Sequence, residues 1–271
     1  GSRASMALMT AETLGVDYGK VNVVVADTAS VGFAFVSGGS RVTLATGLAV
    51  INAAEDVIGQ LCTRAAMMWG VDPEGVIWEN GYAKPSSSNV GEHEPLSLRE
   101  IAANKAATGG PIGASAGVNA TGVGPGVSTQ ICDIEVDPDT GGVTVLRYTV
   151  AQDAGCAVHP SYVEGQMQGG VVQGIGWALN EEYVYDDQGC MENASFLDYR
   201  MPLASDLPMI DTVMVEVTNP DHPYGVKGVG EANIVPPMAA VANAVRDAIG
   251  KRLTDLPMSP PRVLAALEEH D

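Results

Sequence analysis

Residues 161–176 read Ser161-Tyr162-Val163-Glu164-Gly165-Gln166-Met167-Gln168-Gly169-Gly170-Val171-Val172-Gln173-Gly174-Ile175-Gly176. Ser161 with Glu164 three residues on predicts a capping box, and the apolar spacing behind it predicts a helix. Gly165, Gly169, Gly170, Gly174 and Gly176 burden that helix, at about 0.5–1 kcal/mol each relative to Ala. A helix that tolerates this load is expected to lie against another backbone or a ligand. Gln166, Gln168 and Gln173 add neutral side chains that both donate and accept hydrogen bonds. Working outward, Thr129 to Val136 alternates as a half-buried strand, Asp137 to Gly142 makes a turn, and Val143 to Val150 returns as its partner with Val143 and Val145 inward. Beyond the helix, Tyr183–Tyr185 and the segment to Phe196 flank a turn at Asp186–Gly189 and predict a second hairpin. Thr212 to Val217 is a strand, Pro237 to Ile249 a helix ended by Gly250, and Pro260 to Leu267 a short terminal helix.

The first half shows the same mixture. Ser2 to Leu14 predicts a helix stopped by Gly15, and Val21 to Ala26 a short strand buried on both faces. Val36 to Thr43 is a glycine turn leading into a long helix, Leu44 to Trp69, closed by Gly70. Asn80-Gly81, between Val76–Trp78 and Tyr82, is a two-residue hairpin signal. Ser97 and Glu100 form a capping box for a helix through Lys105. From Ala107 to Val127 the chain is Gly, Ala, Pro and Ser without periodicity, which predicts a connecting loop. The fold class expected is α+β, as two mixed α/β subdomains over residues 1–127 and 128–271.

With 271 residues, 46% of them hydrophobic, the chain can bury a real core. Its 33 acidic and 14 basic side chains give a net charge of -19. That field repels nucleic acid and anionic membranes, and it leaves backbone N–H groups as the main means of holding a phosphate. Gly38-Gly39-Ser40-Arg41, at a helix start, is such a place: Ser40 can cap and Arg41 supplies a fork of donors. Cys62, Cys132, Cys156 and Cys190 are too scattered for an iron–sulfur or zinc motif and read as buried free thiols. The histidines are equally dispersed, so no protein metal ligands are expected. No apolar run is seen to reach the roughly 20 residues of a membrane span, and no basic-then-apolar leader opens the chain. A cytoplasmic location is expected.

The stretch with the most chemistry is Tyr224-Gly225-Val226-Lys227-Gly228-Val229-Gly230-Glu231, followed by Ala232-Asn233-Ile234-Val235-Pro236-Pro237. Its glycines let the backbone bend and approach a ligand, and the prolines suit the first turn of a following helix. Glu231 is therefore held on a tight loop just before a helix.

Together, Gly38–Arg41, Glu135–Gly141, Gly165–Gly176, Asp198-Tyr199-Arg200-Met201-Pro202 and Lys227–Glu231 resemble, in order, the molybdenum-binding large subunit of the xanthine dehydrogenase and aldehyde oxidoreductase family. The resemblance covers only the C-terminal part of that subunit. It implies a naturally split subunit or a fragment of a longer chain. It further implies a molybdenum hydroxylase acting on an N-heteroaromatic compound, an aldehyde or an aryl-CoA thioester. The cofactor implied is molybdopterin or molybdopterin cytosine dinucleotide with Mo. Glu231 resembles the family's general base, with a pKa raised by burial. Gln166 resembles a glutamine that hydrogen-bonds the cofactor. Gly38, Gly39, Ser40 and Arg41 resemble the loop that meets the pterin and its phosphate, and Gly228, Val229 and Gly230 are expected to border the cofactor. The partners implied are the upstream half of the molybdenum-binding subunit, an iron–sulfur subunit and an FAD subunit, since this chain carries no motif for either group. Three alternatives stand beside this reading: a non-catalytic subunit that completes the fold of such a complex, a carbon monoxide dehydrogenase-like member of the same family, and an unrelated glycine-rich α/β binding module.

Overall fold

The computed structural model describes residues 1–25, 27–29, 32–120 and 124–269. The chain divides into two compact units, Gly1–Val123 and Gly124–Asp271.

The first unit is built around a long helix. Its opening helix α1 (Ser2–Leu14) stops at Gly15, which has φ 64°. Gly15 presses on the backbone of Asn80 and Gly81, leaving no room for a Cβ. The long helix α2 (Gly47–Trp69) is entered through a wide π turn, Val42–Thr46. Its Leu61, Ala65 and Ala66 pack against Val76, Ala83 and Ile101. Val76 and Ala83 belong to the antiparallel pair β1 (Val76–Glu79) and β2 (Tyr82–Pro85). Asn80 and Gly81 join these strands with φ 52° and 81°, the double positive φ that the type I′ turn requires. Strand β3 (Leu96–Ser97) pairs with β2. Ser97 then caps α3 (Leu98–Ala103) reciprocally with Glu100.

Four expectations for this unit need correction. The helix through Lys105 is two pieces, α3 and α4 (Lys105–Thr108), separated at Asn104. The Asn104 side chain donates to the Glu100 carbonyl at 3.1 Å, the local competition that makes Asn a poor helix-interior residue. Residues 21–25 form no strand, and Val24 and Val25 are exposed; Ala26, the end of the expected strand, lies outside the described residues. An apolar run shows that cover is needed, and among the described residues no strand pairs with this one. Ser40 does not occupy the cap position, which falls to Arg41 with no side-chain cap bond. Finally, Val42–Trp69 is long and apolar enough to cross a membrane by length and composition, contrary to the expectation that no run would be. Ile51, Ala54, Leu61 and Ala65 nevertheless bury its inner face within the unit.

The second unit is a three-stranded sheet under two helices. Strands β4 (Val127–Val136) and β5 (Val143–Asp153) are antiparallel, with a register shift between Asp133 and Ile134. Strand β6 (Ile210–Val215) lies parallel to β5, which demands a crossover. Helix α5 (Pro160–Leu179) lies in that crossover. Met167, Val171 and Ile175 of α5, with Val241 and Val245 of α6 (Val235–Ile249), bury Tyr148 and Val150 of the sheet. Val263 of α7 (Pro260–Glu268) completes the cluster. Val145 is buried and Val143 half-buried.

Here too the details differ. Pro160 takes the first helical position, so His159 is the N-cap of α5 and makes no cap bond. The capping box expected at Ser161 is therefore absent: Ser161 Oγ bonds His159 Nδ1 at 3.2 Å, and Glu164 accepts from Thr212 Oγ1 at 3.1 Å. Proline's preset φ starts the helix two residues early and moves Ser161 inside it. The expected hairpin through residues 183–196 keeps a single bridge, Tyr185 to Met191. The Asp186 carboxylate accepts the Gln188 and Cys190 N–H groups and holds that loop closed on itself. The cysteines are all free thiols, yet Cys156 and Cys190 are exposed rather than buried. Burial, with the Asp133 charge second, pushes Cys132 up to about 12, which keeps it an inert thiol.

Candidate active site

The glycines of α5 separate into two sets. A Cβ at Gly170 would meet Asn233 Cβ at 2.7 Å, and one at Gly174 would meet Pro237 Cβ at 2.7 Å and the Ile234 carbonyl at 3.0 Å. Gly165 and Gly169 face nothing within 4 Å. Positions 166, 170 and 174 share one face of the helix. Gly170 and Gly174 thus form a groove in which residues 233–237 lie, running from the Gly170 turn to the Gly174 turn. Followed backward, that segment leads toward the turn of Gln166, which is exposed and whose side chain makes no hydrogen bond among the described residues. Gln168 is engaged elsewhere, its amide donating to the Ile210 carbonyl at 3.3 Å and tying α5 to β6. Gln173 is exposed.

Glu231 opens a one-turn 3-10 helix, Glu231–Asn233, immediately before α6. Within this chain it is exposed, so the expected burial is not supplied here. Gly228, Val229 and Gly230, just ahead of it, are half-buried and strongly constrained from below. The Gln152 side chain donates to the Gly228 carbonyl at 3.1 Å and the Val229 carbonyl at 3.4 Å. Asn233 Nδ2 donates to the same Val229 carbonyl at 2.8 Å. Gln130 Nε2 donates to the Asn233 carbonyl at 3.1 Å, and Gln130 Oε1 accepts from the Tyr148 hydroxyl at 2.6 Å. Burial, then the neighbouring Cys132, raises the Tyr148 pKa far above the usual phenol range, so it stays a donor.

The residue before the loop is pinned as firmly. Lys227 Nζ lies 2.6 Å from Asp153 Oδ2, with side chains 8% and 12% exposed. Burial alone would raise the Asp153 carboxyl. The Lys227 hydrogen bond, the N–H groups of Gly155 and Val217, and the Lys227 charge together hold it below the usual carboxylate range. Asn219 Nδ2 donates to the Val226 carbonyl at 3.0 Å. Gly155, at φ 62°, meets Gly225 and Lys227 so closely that no Cβ would fit.

With the carbonyls of Gly228 and Val229 turned inward, the N–H groups of Gly228, Val229 and Gly230 donate to nothing among the described residues. Three consecutive unused donors beside a carboxylate suit an acceptor-rich ligand. In the first unit, Gly39 and Ser40 have φ 71° and 54° and Arg41 is helical at φ −81°, ψ −13°. A left-handed residue followed by a right-handed one turns successive N–H groups into one concavity, an anion-binding nest at a helix start. A Cβ at Gly38 or Gly39 would meet nothing within 4 Å, so the loop is open to an approaching group. The Arg41 guanidinium lies 5.7 Å from the centre of the Phe35 ring. Each taken by itself, the unused donors of the second unit suit an acceptor-rich group and the nest of the first unit suits a phosphate.

The sequence points to Gln166 on the glycine-rich helix, Glu231 on its loop and Gly38–Arg41 at a helix start; Gln166 and Glu231 lie in the second unit and Gly38–Arg41 in the first. It assigned no role to Gln130, Asp153, Gln152, Asn219 or Asn233. One signal was available for Gln152: it falls on the inward phase of a strand whose neighbours in that phase, Tyr148 and Val150, are buried.

The molybdopterin cofactor-binding domain family matches residues 1–208. The chain is 34% identical to the gamma subunit of the 6-hydroxypseudooxynicotine dehydrogenase complex of Paenarthrobacter nicotinovorans, over 98% of this chain and 34% of that protein. It is 32% identical to the xanthine dehydrogenase molybdenum-binding subunit of Escherichia coli O157:H7, over 97% of this chain and 35% of that protein. Quinoline 2-oxidoreductase from Pseudomonas putida 86 superposes with a TM-score of 0.85 at 27% identity, over 100% of this chain and 35% of that one. The chain thus spans about a third of the length of these relatives.

Proposed function

Because the chain belongs to the molybdopterin cofactor-binding domain family, we propose that it is the base-carrying part of the molybdenum-binding subunit of a molybdenum hydroxylase. Its reaction is the hydroxylation of an electrophilic carbon with water as oxygen source, in the cytoplasm. The names of two relatives include xanthine and quinoline, both nitrogen heteroaromatics, which favours that substrate class over aldehydes and aryl-CoA thioesters. The single observation that carries the reading is Glu231, a carboxylate held next to three unused N–H donors on an immobilised loop.

When bound, the molybdenum cofactor supplies the two-electron redox centre. The residues of this chain do the rest. Glu231 takes the proton released as the oxygen–carbon bond forms. Gly228, Val229 and Gly230 direct their N–H groups at acceptor atoms of cofactor or substrate, and Gln166 bonds the cofactor from the neighbouring helix turn. In the Gly38–Arg41 loop, Gly38 gives its own N–H to the Val36 carbonyl and bends the chain, and Gly39, Ser40 and Arg41 take the phosphate through backbone donors and one guanidinium. Residues 1–127 and 128–271 act as the two subdomains between which these roles are divided. The upstream part of the subunit closes over Glu231, and iron–sulfur and FAD subunits carry electrons away.

The test is Glu231→Gln in the assembled, molybdenum-loaded enzyme. General bases contribute about 10²–10⁴-fold, or roughly 3–5 kcal/mol of transition-state stabilisation. Reduction of the metal centre by substrate should slow by at least that factor with molybdenum content unchanged, and the acid limb of the pH profile should disappear. A loaded variant reduced within a few-fold of the wild-type rate ends the proposal.

A further inference from the structure

We propose that Gln152 and Asn233 are positioning residues for the base, a pair of buried carboxamides that converge on the Val229 carbonyl and fix the loop from which Glu231 projects. The inference rests on reading Glu231 as the base. Both side chains are fully buried, at 0% exposure. Each gives its NH₂ to the loop, and Gln152 Oε1 and Asn233 Oδ1 are left without a partner. A leucine or methionine would fill the same space without an unmet acceptor, so the polar choice is not explained by packing. What it accomplishes is geometric. Gly228 and Gly230 would leave this backbone loose, and the two amides pin it from two separate elements, one from strand β5 and one from the turn after Glu231. Asn233 is itself held by Gln130 and seated in the Gly170 groove. Because only carbonyls are grasped, the outward N–H groups stay available.

Gln152→Met keeps the length and removes the donors. In the molybdenum-loaded enzyme the rate of reduction by substrate should fall about 10- to 100-fold, the loss that an ångström of misplacement brings, with molybdenum content retained and KM little changed. In the double variant Gln152→Met/Glu231→Gln the rate should match Glu231→Gln alone, since the amide acts through the carboxylate. Independently of turnover, hydrogen exchange should quicken at the Ile234 amide, which donates to the Glu231 carbonyl at 3.2 Å, while β4 and β5 remain protected. Equal losses in both backgrounds, an unchanged rate, or unchanged exchange each overturn the proposal while leaving the base intact. A Glu231→Gln enzyme at wild-type rate removes the base, and the positioning role with it. Should Gln152→Met fail to assemble, Asn233→Leu, which removes the other donor to the same carbonyl, carries the same expectations.

Discussion

Two glycine loops in this chain were expected to meet one cofactor, and they are built in opposite ways. Gly38–Arg41 leaves room where a Cβ would stand on each of its glycines, with Gly39 and Ser40 at positive φ and Gly38 N–H given to the Val36 carbonyl. Lys227–Glu231 is gripped from beneath by Asp153, Gln152 and Asn233. The difference follows from what each loop would do. A phosphate is a large, symmetric charge, and a concavity of N–H groups can settle around it on binding. A proton acceptor must stand within hydrogen-bond reach of one atom, so its position has to be fixed before substrate arrives.

The sharpest way to break this contrast is Lys227→Met. It leaves Asp153 as an uncompensated, nearly buried charge, and the expected loss of folding stability is about 3–5 kcal/mol, measured by denaturant unfolding. The pH dependence carries the same information. Asp153 is depressed in the folded state, so its contribution is fully present above the unfolded aspartate pKa of ~3.9 and is lost as pH falls through the lower native value. Asp153→Asn should flatten that acid limb. A Lys227→Met protein within roughly 1 kcal/mol of wild type, the exposed-pair limit, would show the second loop to be as loosely held as the first.

Next in size is Gly170→Val. Helix propensity expects a neutral or favourable change, whereas the Asn233 backbone above Gly170 predicts an overpacking cost of about 1–3 kcal/mol. Gly169→Ala, one residue away and facing open space, should stabilise by about 0.5–1 kcal/mol. Opposite signs in thermal unfolding confirm the groove, and equal signs remove it.

The smallest loss of stability belongs to the open loop. Gly39→Ala meets no atom, yet it places a Cβ at φ 71°, for about 1–2 kcal/mol of backbone strain. If the loop relaxes instead, stability should hardly move while cofactor retention on dialysis falls. An unaltered Gly39→Ala protein, in both measurements, would take the nest away as a phosphate site.

The sequence by itself determined the elements whose signals are local. The Asn80-Gly81 turn, the Ser97–Glu100 cap, the glycine stops after α1, α2 and α6, and the β4–β5 hairpin each depend on a few neighbouring residues, and each formed where periodicity and turn chemistry put it. It also exposed the burden of glycines in α5, Gln166 on that helix and Glu231 on its loop. Only the tertiary structure decided which glycines of α5 carry a neighbour, because whether Gly170 or Gly169 meets Asn233 depends on a segment far along the chain. It alone revealed the exposure of Val24 and Val25, since an apolar run records a need for cover and not the identity of what covers it. The clamp beneath Glu231 was hidden for the same reason. Gln152, Asp153 and Gln130 are ordinary polar residues in sequence, and their function arises from hydrogen bonds across 76, 74 and 103 positions. Long-range hydrogen bonds leave no periodicity, and distances of this kind exist only once the chain has closed on itself.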